Sequence, residues 1–344
     1  MKRRTRLAVV GAGVIGRLHV EMALRRSDCE VVAISDPSAA SEAFARDHGL
    51  SWYSNHQALL DDSQLDGVIV ATPNATHVEI ALACIARALP VLIAKPIADS
   101  VEEAARLAST ARDANVPVLV GHHRRHNPIL RRAKTLISDG CIGEPVSVTG
   151  LYTFFKPEGY FEVRWRRERG GGPVLINLIH DIDMLRFLVG EIAEIQAMTF
   201  NAKRNFEVED TAAVLLRFRN RAVGSLTVSD CVASPWAWDL AAGEAAQFGR
   251  QDVHTHFVTG SEGSIALPRL DVWNYRSGKG WHEELTVERT TPHHADPYDE
   301  QIRHFCVVIS REEQPVCSAE DATKTLAATY GVHRAAQTRS PVTL

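Results

Sequence analysis

The sequence predicts an α/β protein in two parts: a doubly wound parallel sheet over residues 1–123, then an α+β domain over residues 124–344 built on a large, mostly antiparallel open sheet. Three observations predict it. Up to about residue 121, short runs that are apolar on both faces alternate with stretches of helical period. Beyond about residue 145, apolar and polar residues alternate instead, as in strands with one buried face. A length of 344 residues also makes two domains the default.

In the first part, residues 7–10, 31–34, 68–70, 91–93 and 118–120 read as strands. Residues 16–26, 39–48, 77–88 and 101–114 read as the helices between them, and a sheet apolar on both faces needs helices on both sides. In the second part, residues 146–155, 195–199, 212–219, 222–230, 252–259, 264–268 and 284–289 alternate as half-buried strands. Helices are expected at 178–189, 298–310 and 319–337, the last a candidate to pack back on the first domain. The free face of such a sheet is a candidate subunit interface, hence the expectation of a homo-oligomer, dimer or tetramer.

Hydrophobic residues at 45% and charged residues at 23% match a soluble globular chain. The net charge of −4 argues against nucleic acid as a partner. No run of eighteen apolar residues occurs, so no membrane span is expected, and the apolar stretch at 7–10 is too short for a signal peptide. The six cysteines lack C-x-x-C spacing and no H-E-x-x-H occurs, so a metal site is not expected. Reduced thiols in the cytoplasm are the expected setting.

Gly11-Ala12-Gly13-Val14-Ile15-Gly16 follows the first strand directly and opens the first helix. The second strand ends at Asp36, twenty residues beyond Gly16. Each part has a job in holding a dinucleotide. Gly11 permits a tight turn, Gly13 lets backbone approach a pyrophosphate, and Gly16 lets helix and strand close up. The helix N-terminus offers unpaired N–H groups and partial positive charge to phosphates. Asp36 can accept from ribose hydroxyls and repels a 2′-phosphate, which favours NAD over NADP. The first domain is therefore expected to be a Rossmann unit.

Further segments form a pattern. Val70-Ala71-Thr72-Pro73-Asn74-Ala75-Thr76-His77 closes the strand at 68–70, Ala94-Lys95-Pro96 the strand at 91–93, and Gly121-His122-His123-Arg124-Arg125-His126-Asn127-Pro128 follows the strand at 118–120. Gly170-Gly171-Gly172 precedes Ile176-Asn177-Leu178-Ile179-His180-Asp181-Ile182-Asp183. In their order and spacing these resemble the Gfo/Idh/MocA oxidoreductases (inositol dehydrogenase, glucose–fructose oxidoreductase and relatives), over nearly the whole chain. The resemblance implies NAD(P)-dependent chemistry at a carbon bearing a hydroxyl, in a sugar or cyclitol. It puts the family's E-K-P lysine at Lys95 and its catalytic histidine at His180. It sets Ala71, Thr72, Pro73, Asn74 and His77 on the cofactor side, and His123 and Arg124 beside the substrate. Two departures stand out: Ala94 replaces the glutamate before the lysine, and Ile176 stands where many members carry an aspartate.

Removing hydride from a secondary alcohol requires that the hydroxyl proton leave too. His180 is the candidate base, since histidine titrates near neutral pH. Lys95 can hydrogen-bond the reacting oxygen and stabilise developing negative charge. Asn177, three residues before His180, shares a helical face with it and can bind a neighbouring hydroxyl or orient the ring. Trp165, in the basic run 164–169, is expected on a loop near the substrate, and Trp236 and Trp238 are expected to point the same way along a strand. Two rival readings remain at this point: a reductase or hydride-shuttling enzyme with tightly held cofactor, and a non-catalytic NAD-binding regulator, which Ala94 and Ile176 keep open.

Overall fold

The computed structural model describes residues 3–62, 64–244 and 247–344. It contains two compact units, residues 1–126 with 295–326, and residues 127–294 with 327–344. The units are discontinuous in sequence, unlike a single cut after residue 123, because the chain returns to the first unit near its end.

In the first unit the strands are β1 (Thr5–Val10), β2 (Cys29–Ser35), β3 (Ser51–Tyr53), β4 (Gly67–Val70), β5 (Val91–Ala94) and β6 (Val118–Gly121). They form an all-parallel sheet in the order β3-β2-β1-β4-β5-β6. The helices are α1 (Val14–Leu24), α2 (Ala39–Asp47), α3 (His56–Asp62), α4 (His77–Ile85) and α5 (Val101–Asp113). Leu7, Val9, Ile34, Ile69, Leu92 and Leu119 are fully buried in its core, which is why their strands read as continuous apolar runs. The order reverses between β1 and β4, and doubly wound sheets bind ligands beyond the strand ends at such a point. Both β3 and α3 were absent from the sequence expectation; three strand residues are too few for a periodic signal.

Two later segments complete this unit. One helix (Pro297–Ile309) is capped by Asp296, whose carboxylate accepts the Tyr298 N–H at 2.8 Å, and sends Ile302 and Phe305 into the core. Downstream, Val120 donates its N–H to Cys317 O at 2.9 Å, so residues 317–318 pair with the edge strand β6.

The second unit holds α6 (Pro128–Ser138), β7 (Pro145–Thr153), α7 (Ile179–Leu188), β8 (Ile192–Phe200), β9 (Thr211–Phe218), β10 (Val223–Ser229), α8 (Trp238–Ala241), β11 (His256–Gly260), β12 (Gly263–Leu267), β13 (Asp271–Tyr275) and β14 (Leu285–Arg289). The helix at 297–309 is α9, α10 (Ala319–Thr338) begins in the first unit and ends in the second, and β15 (Val342–Thr343) closes the chain. The sheet order is β14-β13-β12-β11-β7-β10-β9-β8-β15, antiparallel except for β7 beside β10. One face is buried: Ala212, Val214, Leu216 and Phe218 of β9 join Leu130 of α6 and Ile182 and Leu185 of α7 in one core. The other face carries exposed Met198, Phe200, Leu215 and Val223. The pairing expected for Trp236 and Trp238 does not hold. Residue 236 lies outside any strand and is exposed, whereas Trp238 opens α8 and is fully buried. Period-two reasoning fails there because the chain turns into a helix between them.

Candidate functional site

The glycine turn has the form the spacing predicts. Gly11 has φ +91°, and a Cβ there would lie 2.6 Å from Ala71 O. A Cβ on Gly16 would lie 1.8 Å from Gly11 O, so only glycine lets α1 sit this close to the turn. Gly13 is the N-cap of α1, with no side-chain cap, and a Cβ on it would meet nothing within 4 Å. Val14 and Ile15 are exposed at the first turn of α1. An uncapped helix start lined by open space leaves backbone N–H groups for an anion. These residues fit a dinucleotide pyrophosphate.

Asp36 stands at the end of β2. Its Oδ2 accepts the Ala12 N–H at 2.9 Å, and Oδ1 accepts the Ser38 N–H at 2.9 Å and the Ser38 hydroxyl at 2.7 Å. Burial raises its pKa, but these hydrogen bonds outweigh it and hold the carboxyl below its ordinary value. Asp36 is thus ionised at neutral pH with acceptor capacity to spare on Oδ2. Arg17, which sequence reasoning passed over, donates to Ala12 O at 2.9 Å and lies over the Phe44 ring.

Ala71 follows β4 and donates to Val10 O at 2.8 Å, tying the loop 71–74 to the glycine turn. Thr76 donates its hydroxyl towards both Thr72 Oγ1 and Pro73 O at 2.8 Å, and Asn74 opens the short 3-10 turn that leads to His77. His77 is fully buried, with ring nitrogens 2.9 Å from Pro96 O and 2.8 Å from Thr72 O. Burial pushes its pKa down against those two carbonyls. Its ring joins the loop after β4 to the loop after β5 that carries Lys95. Lys95 itself is half-buried. A Cβ on Gly121 would lie 3.1 Å from Ile93 O and 3.3 Å from Ala94 Cα, so this glycine lets the ends of β5 and β6 close up beside it.

His123–His126 form a buried 3-10 turn after β6. His123 stacks on Tyr298 of α9, ring centroids 4.5 Å apart and 11° from parallel. Arg124 is buried, and Arg125 bonds the Asp321 carboxylate and Val316 O.

In the second unit, residues Val174–Leu178 form a π-helical turn that runs into α7. Such turns re-aim side chains and recur at functional sites. Asn177 lies on the π turn and His180 in the first turn of α7, both half-buried. Asn177 Oδ1 accepts from Lys156 Nζ at 2.7 Å, and its Nδ2 donates to Tyr152 Oη at 3.0 Å. Lys156 also lies 3.4 Å from the Asp230 carboxylate, which Arg204 Nε contacts at 2.9 Å. Burial lowers the Lys156 pKa, partly offset by Asp230. Behind them, Asp181 and Asp183 are buried, and Asp181 lies 3.2 Å from His256 Nε2. Gly150 makes room for that imidazole, since a Cβ would lie 2.6 Å from its Cδ2. Trp165 is half exposed in a 3-10 turn, with Arg166 over its ring.

Residues 5–122 match the family model described as an oxidoreductase family with NAD-binding Rossmann fold, and residues 130–266 match the GFO/IDH/MocA C-terminal domain. The chain belongs to the Gfo/Idh/MocA family. Its first unit is an NAD-binding Rossmann domain and the protein is an oxidoreductase. Among curated relatives, the 1,5-anhydro-D-fructose reductase of Ensifer adhaerens is 29% identical over 97% of this chain and 96% of its own length. The scyllo-inositol 2-dehydrogenase (NAD(+)) of Bacillus subtilis is 26% identical over 94% of this chain and 91% of its own length. The WlbA dehydrogenase of Bordetella pertussis, crystallised with NADH and UDP-GlcNAcA, superposes with a TM-score of 0.80 over 99% of both chains at 22% identity, a likeness of fold.

Within this Gfo/Idh/MocA chain, sequence reasoning missed Lys156, Tyr152 and Asp230, and also Asp239, whose carboxylate accepts the Tyr152 hydroxyl. Lys156-Pro157, three residues past the strand that ends at Thr153, was the available signal, but nothing local pairs it with residues 177 and 230.

Proposed function

We propose that this protein is an NAD-dependent dehydrogenase that oxidises a secondary hydroxyl of a sugar, cyclitol or related polyhydroxylated small molecule, with His180 as general base and Lys95 assisting. The observation that carries the proposal is the placement of Asn177 and His180 three residues apart where the π turn runs into α7, with Asn177 anchored in a buried polar network. Relatives named for an anhydrofructose and an inositol support the substrate class.

Gly11, Gly13, Val14, Ile15 and Gly16 would hold the pyrophosphate, Asp36 the adenosine ribose, and Ala71, Thr72, Pro73, Asn74 and Lys95 the nicotinamide end, with the buried His77 ring bracing the loops that carry them. NAD, when bound, supplies the hydride acceptor. The chain's own work is the proton. His180 removes it from the substrate hydroxyl, and the Lys95 ammonium stabilises the charge that builds on that oxygen. Asn177 holds a neighbouring hydroxyl, with His123, Arg124 and Trp165 completing the substrate contacts. The same groups serve reduction when run backwards, the direction for which the Ensifer relative is named.

We infer a homo-oligomer, dimer or tetramer, formed through the exposed face of the second sheet, where Met198, Phe200, Leu215 and Val223 are each more than half exposed. A cytoplasmic setting is part of the proposal, in keeping with six scattered cysteines that lack C-x-x-C spacing. Among the described residues no helix is long and apolar enough to cross a membrane. The function is tested by presenting polyols, sugars and alicyclic acids with NAD or NADP and following reduced cofactor by absorbance. Turnover with a polyhydroxylated alcohol and NAD is expected; cofactor binding without turnover across the panel would favour a regulator.

A further inference from the structure

We propose that Lys156 is the positioning residue for Asn177, fixing which end of its amide faces the substrate. The proposal rests on the placement of Asn177 beside the reacting molecule given above.

An ammonium can only donate hydrogen bonds. The Asn177 atom 2.7 Å from Lys156 Nζ is therefore the carbonyl oxygen, which settles an orientation that side-chain amides usually leave ambiguous. Nδ2 is then the opposite end. It donates to Tyr152 Oη at 3.0 Å, and the Tyr152 hydroxyl donates in turn to the Asp239 carboxylate. The donors run one way from Lys156 through Asn177 and Tyr152 to Asp239, with a cation at the start and a carboxylate at the end. Reversing the amide would set its N–H against the ammonium and its carbonyl against a hydroxyl already committed to Asp239.

The cation is itself held in place. Lys156 is 4% exposed, with the Asp230 carboxylate at 3.4 Å and the Tyr160 ring 4.9 Å beneath it. Asp230 is fixed from its other side by Arg204. Arg204 also reaches the exposed Glu158 carboxylate at 3.3 Å, so the two cations of the network stand among three carboxylates, Asp230, Asp239 and Glu158. Tyr152 takes one of the two Asn177 amide protons; the second is left for a lone pair on a substrate oxygen, three residues from His180 where the π turn meets α7.

The test compares Lys156→Met, Lys156→Arg, Asn177→Leu and the double variant Lys156→Met/Asn177→Leu with wild type. The readouts are kcat, KM, NAD affinity, and the rise in melting temperature that a polyol causes in the presence of NAD. Lys156→Met is expected to lose about 10- to 100-fold in kcat/KM, the loss of one substrate hydrogen bond. It should also lose the polyol-induced rise while keeping NAD affinity. Lys156→Arg should recover most of both, and the double variant should be no worse than Asn177→Leu alone. An alkaline limb in the rate, set below the ordinary lysine range by burial beside Tyr160 and by Arg204, against the opposing pull of Asp230 and Asp239, should move up in Lys156→Arg. Full additivity of the two single losses, or wild-type kcat/KM in Lys156→Met, would overturn the proposal. If Lys156→Met does not fold, the Lys156→Arg pH profile decides. Wild-type turnover in His180→Asn would remove the catalytic scheme while leaving the Lys156–Asn177 coupling standing, so the two fail separately.

Discussion

Acidification from pH 6.5 towards 4 is expected to cost the first unit about 3 kcal/mol through one residue, His19. This side chain sits on α1, 2% exposed, edge-on to Tyr298 of α9 with ring centroids 5.8 Å apart. Burial, with a smaller contribution from His123, lowers its pKa from 6.5 to about 4. In the unfolded chain it takes up a proton near 6.5, so below that pH the unfolded state binds more protons than the folded state. The stabilisation is complete above pH 6.5 and is lost as pH falls through about 4. The difference of about 2.5 pH units, at about 1.4 kcal/mol each, sets a full loss of about 3.5 kcal/mol, of which about 3 kcal/mol is reached at pH 4. That is a large part of an ordinary domain's stability of about 5–15 kcal/mol. Because α1 starts at the glycine turn, NAD affinity should weaken over the same range. The assay is urea unfolding at pH 7 and pH 5, followed on NAD release and on the fluorescence of Trp52, which lies in the first unit. His19→Phe, which keeps a ring against Tyr298, should show a pH 7-to-5 loss about 2 kcal/mol smaller than wild type. Equal losses in both proteins would refute the reasoning.

Other outcomes follow from the same structure. Asp36→Ala should weaken NAD binding about 10- to 100-fold, the loss of a charge-assisted acceptor for ribose hydroxyls, and should narrow the preference over NADP; titration with both cofactors measures it. Gly16→Ala places a carbon 1.8 Å from Gly11 O, so it should abolish NAD binding and cost about 1–3 kcal/mol in urea unfolding. Met198→Glu combined with Leu215→Glu should lower the oligomeric state seen by sedimentation, and an unchanged mass would remove the proposed interface.

Much of the fold was legible because its signals are local. Strands of the first unit are continuous apolar runs, and β9 alternates buried and exposed residues strictly from Ala212 to Phe218. The glycine turn and Asp36 were legible for the same reason, each doing its work within one strand-turn-helix-strand segment. What escaped was short, or distant in sequence. α6 hid behind Arg131-Arg132-Ala133-Lys134, although Asn127-Pro128 is a cap followed by an N1 proline, and the Asn127 side chain does accept the Ile129 N–H. His77 looked like a helix start on the cofactor side; only the fold shows its ring spent on two backbone carbonyls. Lys156 meets Asn177 and Asp230 across 21 and 74 residues, a juxtaposition that no period or motif encodes.

The decisive measurement is steady-state formation of reduced cofactor by wild type and His180→Asn, on a polyhydroxylated alcohol that the wild type oxidises. A fall in kcat of about 10²–10⁴-fold with NAD affinity unchanged is the expected result, the usual size of a general-base contribution. Wild-type kcat in His180→Asn would contradict it and move the proton chemistry to another group.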